Sequence, residues 1–350
     1  MKKRLLAYAE SVGVRISREY ISNHGYFPKE PWGCEGQIYP SLTGIALLRL
    51  FEVTKKEIFI SGVKAVIESN IKKQMPSGGW PLYLGVNANG AKFSISEDLI
   101  KITSEVEDLP PTVAALRLIS EYQQVTCDTS YSASLDSGYY FLKGFWNEEL
   151  GAFNEMLVDD ALRLRANPKD YHIYSFQCIK SLSKVYAEAS KYIMPLYGAV
   201  KNNFEAMTAD TYPLLHGMHA ALIANTERGS KYVSTVVKDR IMNEIVVKSR
   251  FLISQMPGAM GHRDGLRGIC LDEGHLRNSI GAALAIDSYE SATGTDYFSS
   301  MTLYADIENW IQSMYDDGKY FEYLDINSGL KLGDGSAGYF LPIFWILGQI

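Results

Sequence analysis

The chain has 350 residues, 47% of them hydrophobic and 21% charged, and a net charge of −6. That length suffices for one large or two ordinary domains, and the composition is that of a globular protein. The negative balance and the lack of any Lys/Arg-rich run exclude a basic surface for nucleic acid. Residues 2–22 read as an amphipathic helix stopped by Asn23-His24-Gly25. Tyr39-Pro40 opens a second helix to about Val53, apolar nearly all round, as expected of a buried one. From Lys55 to Gln74 the pattern keeps a polar side (Lys56, Lys64, Glu68, Lys72), so this helix should lie outside.

The alternation then repeats. Pro110-Pro111-Thr112 opens an inner helix and 129–146 reads as its outer partner. Residues 170–187 and 189–205 give the next pair, with Pro195 as a kink. Tyr212-Pro213 opens an inner helix partnered by 232–255, residues 276–291 are followed by 296–315, and 336–347 closes the set. With the first helix counted as outer, there are six inside and six outside. The expected fold is all-α, an (α/α)6 toroid forming a single domain over 1–350. Short β-hairpins are expected in its loops, Pro81–Leu84 with Lys92–Ile95 and Tyr320–Leu324 with Leu330–Leu332. In such a barrel the long loops 76–109, 150–169 and 257–275 gather at the inner-helix N-termini, over a cavity.

Cys34, Cys127, Cys178 and Cys270 have no C-x-x-C spacing, which points to free thiols rather than a disulfide framework or a thiolate metal site. The N-terminal stretch begins like a signal peptide, but Glu10 and Arg15 interrupt it. No run approaches 18 apolar residues, so no integral membrane segment is expected. Cytoplasm is the expected location, no cofactor is implied, and the pattern is silent on oligomeric state.

The chain is organised around Gln74-Met75-Pro76-Ser77-Gly78-Gly79-Trp80, which ends an outer helix as Q-x-x-x-G-G-W. Partial echoes follow at Asn147–Phe153, at Gln255-Met256-Pro257-Gly258, and at Gln312 with Gly318-Lys319-Tyr320, a repeat of roughly 50–70 residues. This stretch resembles the QW repeat of the terpenoid cyclase and prenyltransferase toroids, which implies an α-barrel of six hairpins. In the cyclases an acidic D-x-D-D motif opens an inner helix. The matching stretch here is Glu105-Val106-Glu107-Asp108, before Thr112-Val113-Ala114-Ala115-Leu116. It differs by having two Glu and three intervening residues, and no D-D-x-x-D motif is present. Gly78-Gly79-Trp80-Pro81-Leu82-Tyr83 also resembles toroid-type pectate lyases. The same barrel hosts glycoside hydrolases, lyases and sugar epimerases, so the fold alone does not choose between chemistries.

Each predicted inner helix is preceded by chemically capable side chains, among them Tyr39, Tyr171 with His172, Tyr212 with His216 one turn in, and Tyr339 just inside the last. Acids at helix N-termini also serve as caps and dipole partners, with no function implied. Three carboxylates within 105–108 repel, which raises at least one pKa and makes a general acid of Glu105, Glu107 or Asp108. The densest stretch is 262–277, where His262, Arg263, Asp264, Arg267, Asp272, Glu273, His275 and Arg277 lie beside an inner helix. There the candidate acid/base pair is His275 with Glu273 or Asp272, with Arg263 and Arg267 for an anionic group. His216 and His219 are i, i+3 on a helix, compatible with core histidines or a metal pair. Tyr39, Trp80, Tyr171, Tyr212 and Tyr339 would stack on a sugar or stabilise a carbocation. The leading expectation is acid-initiated cyclisation or isomerisation of an isoprenoid. The alternative is a carbohydrate-active enzyme (polysaccharide lyase, uronyl hydrolase or sugar epimerase) acting on a small molecule or oligosaccharide through a His/carboxylate pair.

Overall fold

The computed structural model describes residues 2–25, 35–36, 38–81, 83–84, 91–95, 98–102, 109–154, 172–264, 268–333 and 337–348. Among these residues twelve helices follow the predicted order. They are α1 (Lys2–Ser22), α2 (Ile38–Thr54), α3 (Glu57–Lys73), α4 (Leu109–Thr126), α5 (Ser132–Lys143) and α6 (His172–Leu182), then α7 (Ile193–Ala206), α8 (Pro213–Thr226), α9 (Lys238–Arg240), α10 (Leu276–Thr293), α11 (Thr302–Ser313) and α12 (Ala337–Leu347). A 3-10 segment, Ala187–Tyr192, leads into α7, and π-type turns at Val233–Val237 and Ile241–Val246 flank α9. The even-numbered helices α2, α4, α8 and α10 are buried along most of their length, whereas α3 and α5 bury one face, as their polar residues dictate.

The described residues form two compact units, Gly13–Val200 and Met1–Val12 with Lys201–Ile350. In the first, α2, α4 and α6 run side by side in one direction. Arg49 donates to Glu121 at 2.5 Å, and Arg117 donates to Glu121 at 2.7 Å and to Gln177 at 2.5 Å. Ser181 donates to Ser120 at 3.0 Å. Arg117 and Glu121 are buried, so each carries the other's charge compensation. In the second unit α8 and α10 are also parallel, at a nearly constant offset. Gly217 lies against Gly281, and further along Asn225 meets Ser288 at 3.5 Å. A Cβ on Gly217 would sit 1.9 Å from the Gly281 carbonyl oxygen, so only hydrogens separate these two helices.

The glycine repeat has a shared structural purpose. After α3, Gly78 (φ +103°) packs where a Cβ would come within 2.4 Å of the Ser137 carbonyl oxygen on α5. Gly258 (φ +82°) stands likewise 2.2 Å from that of Asp306 on α11. Gly25 meets Ala65 on α3, and Gly151 meets Pro195 on α7. Each glycine thus follows one outer element and lies against the next. The Q-x-x-x-G-G-W stretch adds a staple around its lock. Gln74 donates to the carbonyls of Gly78 (2.8 Å) and Ser134 (2.9 Å), the Trp80 indole donates to Asn70 (2.8 Å), and the Trp80 backbone N–H donates to Thr112 (3.0 Å).

The hairpins correct part of the sequence reading. Tyr83–Leu84 (β2) pairs with Glu35–Gly36 (β1), not with the 92–95 stretch; Ala91–Ile95 (β3) pairs with Asp98–Ile102 (β4). Trp146–Asn147 (β5) pairs with Ala152–Phe153 (β6), and His262–Asp264 (β7) with Gly268–Cys270 (β8). Glu273–His275 (β9) was not foreseen as a strand. Tyr315–Asp316 (β10) pairs with Lys319–Tyr320 (β11). Tyr323–Asp325 (β12) pairs with Lys331–Leu332 (β13), as predicted in outline, and also with β9 in the register Tyr323↔His275 and Asp325↔Glu273. The Gly/Asn turn between Tyr320–Leu324 and Leu330–Leu332 marked a hairpin, but nothing local to 273–275 marked its further partner.

Candidate active site

His275 lies at the junction of β9 and α10, as the residue capping the helix N-terminus, with φ −103° and ψ 121°. Its backbone N–H donates to the Met260 carbonyl at 2.7 Å, and that of Leu276 donates to Glu322 at 2.7 Å, so the ring is held on both sides by backbone. Its Nε2 lies 3.1 Å from the Glu273 carboxylate. With Nε2–H donated there, Nδ1 holds the lone pair, the arrangement of a base oriented by an acid. Of the two carboxylates considered for this role, the geometry joins Glu273. Asp272 is exposed and instead lines a surface depression of about 460 Å³ with Gln255, Cys270 and Asn327.

Four rings stand in a row here. Tyr323 stacks on His275 (5.4 Å between centroids, 14° between planes), and His275 stacks on His262 (4.4 Å, 25°). The Tyr212 hydroxyl hydrogen-bonds His262 at Nδ1, and its ring meets the imidazole edge-on at 5.1 Å. Arg277 lies 5.4 Å from the Tyr212 ring centre, a cation over an aromatic face. Burial, and then the charges of Glu273, Glu322 and Asp325, push the Tyr323 phenol upward, so it stays protonated. His275 is buried, His262, Tyr212 and Tyr323 are half-buried, and Arg263 beside them is exposed. Arg263 donates to the Asp210 carbonyl at 3.1 Å.

Tyr212 caps the N-terminus of α8 as His275 caps that of α10. Because α8 and α10 are parallel and in close contact, the two caps are neighbours. The sequence pattern thus brings Tyr212, Arg263, Glu273 and His275 together. Tyr323 was missed, since its place depends on the β9–β12 pairing. His262 stood in the dense stretch without a role of its own.

Other sequence expectations are corrected or fall outside the described residues. Trp80, expected to bind substrate, is fully buried in the staple. His216, also expected at the substrate, is fully buried too, edge-on to Phe204 at 6.4 Å with its Nε2 3.8 Å from Glu244. Burial above all, then His219 and Arg240, lowers its pKa to about 3, so it is neutral. His219 is a satisfied core histidine, with Nδ1 2.8 Å from the Leu215 carbonyl and Nε2 3.3 Å from the Asn203 amide. Tyr39 is half-buried near the start of α2 and His172 is buried at the start of α6, both in the Gly13–Val200 unit. Glu105, Glu107, Asp108, Tyr171 and Arg267 lie outside the described residues, and of Tyr339 only its place in α12 is described. No group of three metal-ligating side chains occurs among the described residues, and no described helix is long and apolar enough to cross a membrane.

No family model matches the chain, and no curated protein sequence does either. Solved structures do. D-mannose isomerase is similar with a TM-score of 0.69 at 9% identity, over 99% of this chain and 98% of that one. Cellobiose 2-epimerase from Spirochaeta thermophila matches with 0.69 at 10%, over 99% and 97%. An unsaturated glucuronyl hydrolase specific for heparin matches with 0.62 at 10%, over 99% and 97%. These findings overturn the terpenoid-cyclase reading. Structures similar along nearly the whole chain are sugar enzymes, and the QW-like stretch that suggested a cyclase is a packing staple with Trp80 at its buried end. At such identities the similarity speaks for architecture alone: the fold is an (α/α)6 toroid.

Proposed function

We propose that this protein is a carbohydrate-active enzyme that moves a proton next to the carbonyl of an open-chain sugar, as an aldose–ketose isomerase or a 2-epimerase. The observation that carries the reading is the His275–Glu273 pair, 3.1 Å apart, fixed by backbone at an inner-helix N-terminus. A hydrogen α to an aldehyde is acidic enough for an imidazole base, provided the base is oriented and the developing negative charge on oxygen meets a donor. Glu273 holds the His275 tautomer and stabilises the imidazolium that forms. Tyr212, Tyr323 and Arg277 offer the aromatic faces, hydroxyls and positive charge that suit a polyhydroxylated substrate. The fold is compatible, since D-mannose isomerase and cellobiose 2-epimerase share it, and it supports a single catalytic domain.

The test is incubation with D-mannose, D-glucose, D-fructose and cellobiose in D₂O, followed by proton NMR. Formation of a ketose or C2 epimer is expected, with deuterium entering at C2. His275→Asn should lower the rate by at least about a hundredfold and Glu273→Gln by about tenfold or more. A wild-type rate in His275→Asn would remove the assignment.

A further inference from the structure

We infer that Asn278 is a positioning residue of the proposed site: its amide ties down the strand that carries His262 and so keeps the His275 ring held between two others. The inference rests on the reaction class proposed above and concerns how the base is aimed.

Four backbone groups of residues 258–261 are held by the start of α10. The Met260 carbonyl accepts from the His275 N–H at 2.7 Å. Ser279 Oγ donates to the Gly258 carbonyl at 3.0 Å and accepts from the Met260 N–H at 3.2 Å. Asn278 Nδ2 donates to the Gly261 carbonyl at 2.5 Å. Both side chains are fully buried. Asn and Ser commonly bond backbone close by in the chain; here both reach across to another segment.

Comparison with the matching repeat divides these bonds by purpose. α4 begins Leu109-Pro110-Pro111-Thr112, and α10 begins Leu276-Arg277-Asn278-Ser279. At α4 the Thr112 hydroxyl accepts from the N–H of Trp80, two residues after the lock glycine Gly78. At α10 the Ser279 hydroxyl accepts from the N–H of Met260, two residues after Gly258. The hydroxyl bond is thus common to both repeats and belongs to the fold. Asn278 has no such counterpart, since Pro111 stands in its place and has no side-chain donor. Its bond is made to the residue immediately before His262. Its Oδ1 is buried with no partner among the described residues, a cost that packing alone does not explain.

The consequence lies in the row of rings. His275 is stacked by Tyr323 at 5.4 Å and 14°, and by His262 at 4.4 Å and 25°. The Glu273 bond fixes one ring nitrogen but leaves the ring free to turn about that bond; flat neighbours on its faces remove this freedom. Tyr323 is held in place by the β9–β12 pairing. Asn278 supplies a restraint on the His262 side, one residue away through Gly261.

The experiment compares the full chain as wild type, as Asn278→Leu, which is of similar size without polar atoms, and as the smaller Asn278→Ala. Proton NMR without substrate follows the Cε1–H resonance of His275, one of six histidines, assigned by its loss in His275→Asn. Ring currents of the stacked neighbours hold this resonance upfield, and it should move downfield in both variants. The rate is then measured with whichever sugar the protein converts. Only the aim of the base is lost, so kcat should fall about tenfold or more with KM within about threefold. Leucine removes the orphan acceptor together with the donor, so its melting temperature should stay within about 3 °C of wild type. A residue that only stabilises the fold would lower the melting temperature and leave both the resonance and the kcat of the folded enzyme in place. That result overturns the proposal, as does a moved resonance with a wild-type kcat. If no sugar is converted, the reaction assignment fails by itself, and the resonance alone decides whether Asn278 positions the ring.

Discussion

His216 shows what a single buried ring does to a protein's tolerance of acid. Its pKa is held near 3 by burial, against an ordinary 6.5. As pH falls through 6.5, the unfolded chain takes up a proton that the folded chain refuses until about 3, so stability declines across that window. The slope for one such group reaches about 1.4 kcal/mol per pH unit. Urea unfolding at pH 7 and at pH 4.5 should therefore show a gap that is roughly 2–3 kcal/mol smaller in His216→Leu than in wild type. An equal gap would mean that the ring is protonated inside the fold. From sequence, His216 and His275 had equal standing, as imidazoles close to inner-helix starts. Three dimensions separate them: one turn into α8 a side chain faces Phe204 and Glu244, whereas the cap of α10 faces Glu273 and His262.

The helices themselves were legible because burial writes a period into the chain. Uniformly apolar segments became α2, α4, α8 and α10, and one-faced segments became α3 and α5. The strands were legible only where both partners were local; β1–β2 joins residues almost fifty apart, and β9–β12 joins His275 to Tyr323. The glycine locks were visible as a fading motif, although their purpose was not. Two substitutions separate the contributions of backbone conformation and close packing. Gly78→Ala must accommodate φ +103° and a carbonyl 2.4 Å away, whereas Gly229→Ala meets φ +77° with nothing within 4 Å. We expect a loss of about 1 kcal/mol for Gly229→Ala and about 3 kcal/mol or more for Gly78→Ala, read as shifts in the urea midpoint. Equal losses would show that the outer-element lock contributes nothing.

At the scale of the whole molecule, the alternation of inner and outer helices was readable without any relative; twelve helices occur among the described residues, and the solved structures share the fold. The chemistry was less readable. A seven-residue match drew the reading toward isoprenoids, because a staple built from Gln, Gly and Trp serves any barrel that must join neighbouring hairpins, whatever the barrel encloses. The polar crowd at 262–277 was the stretch on which the carbohydrate alternative rested, and the structure brings His262, Glu273 and His275 of it together. A ligand that binds only the folded state raises stability by about 2.7 kcal/mol at a hundred times its Kd. A converted sugar should thus lift the melting temperature by several degrees, and prenyl diphosphates should leave it unchanged. The buried Arg117–Glu121 pair gives a further expectation at this scale. Glu121→Gln removes the partner of an enclosed guanidinium and should cost about 3–5 kcal/mol in chemical denaturation, with the pH profile of turnover preserved.

The β9–β12–β13 sheet has a consequence for how such an enzyme diversifies. His275 takes its register from Tyr323, and Tyr323 from a hairpin whose turn, between Asp325 and Lys331, belongs to the next repeat. The segment is a cassette: its tip can lengthen, shorten or be exchanged without interrupting a helix, while its inner strand sets the register of His275. Under the function proposed above, grafting residues 324–332 alone should alter selectivity among sugars while leaving His262, Glu273 and His275 as they stand.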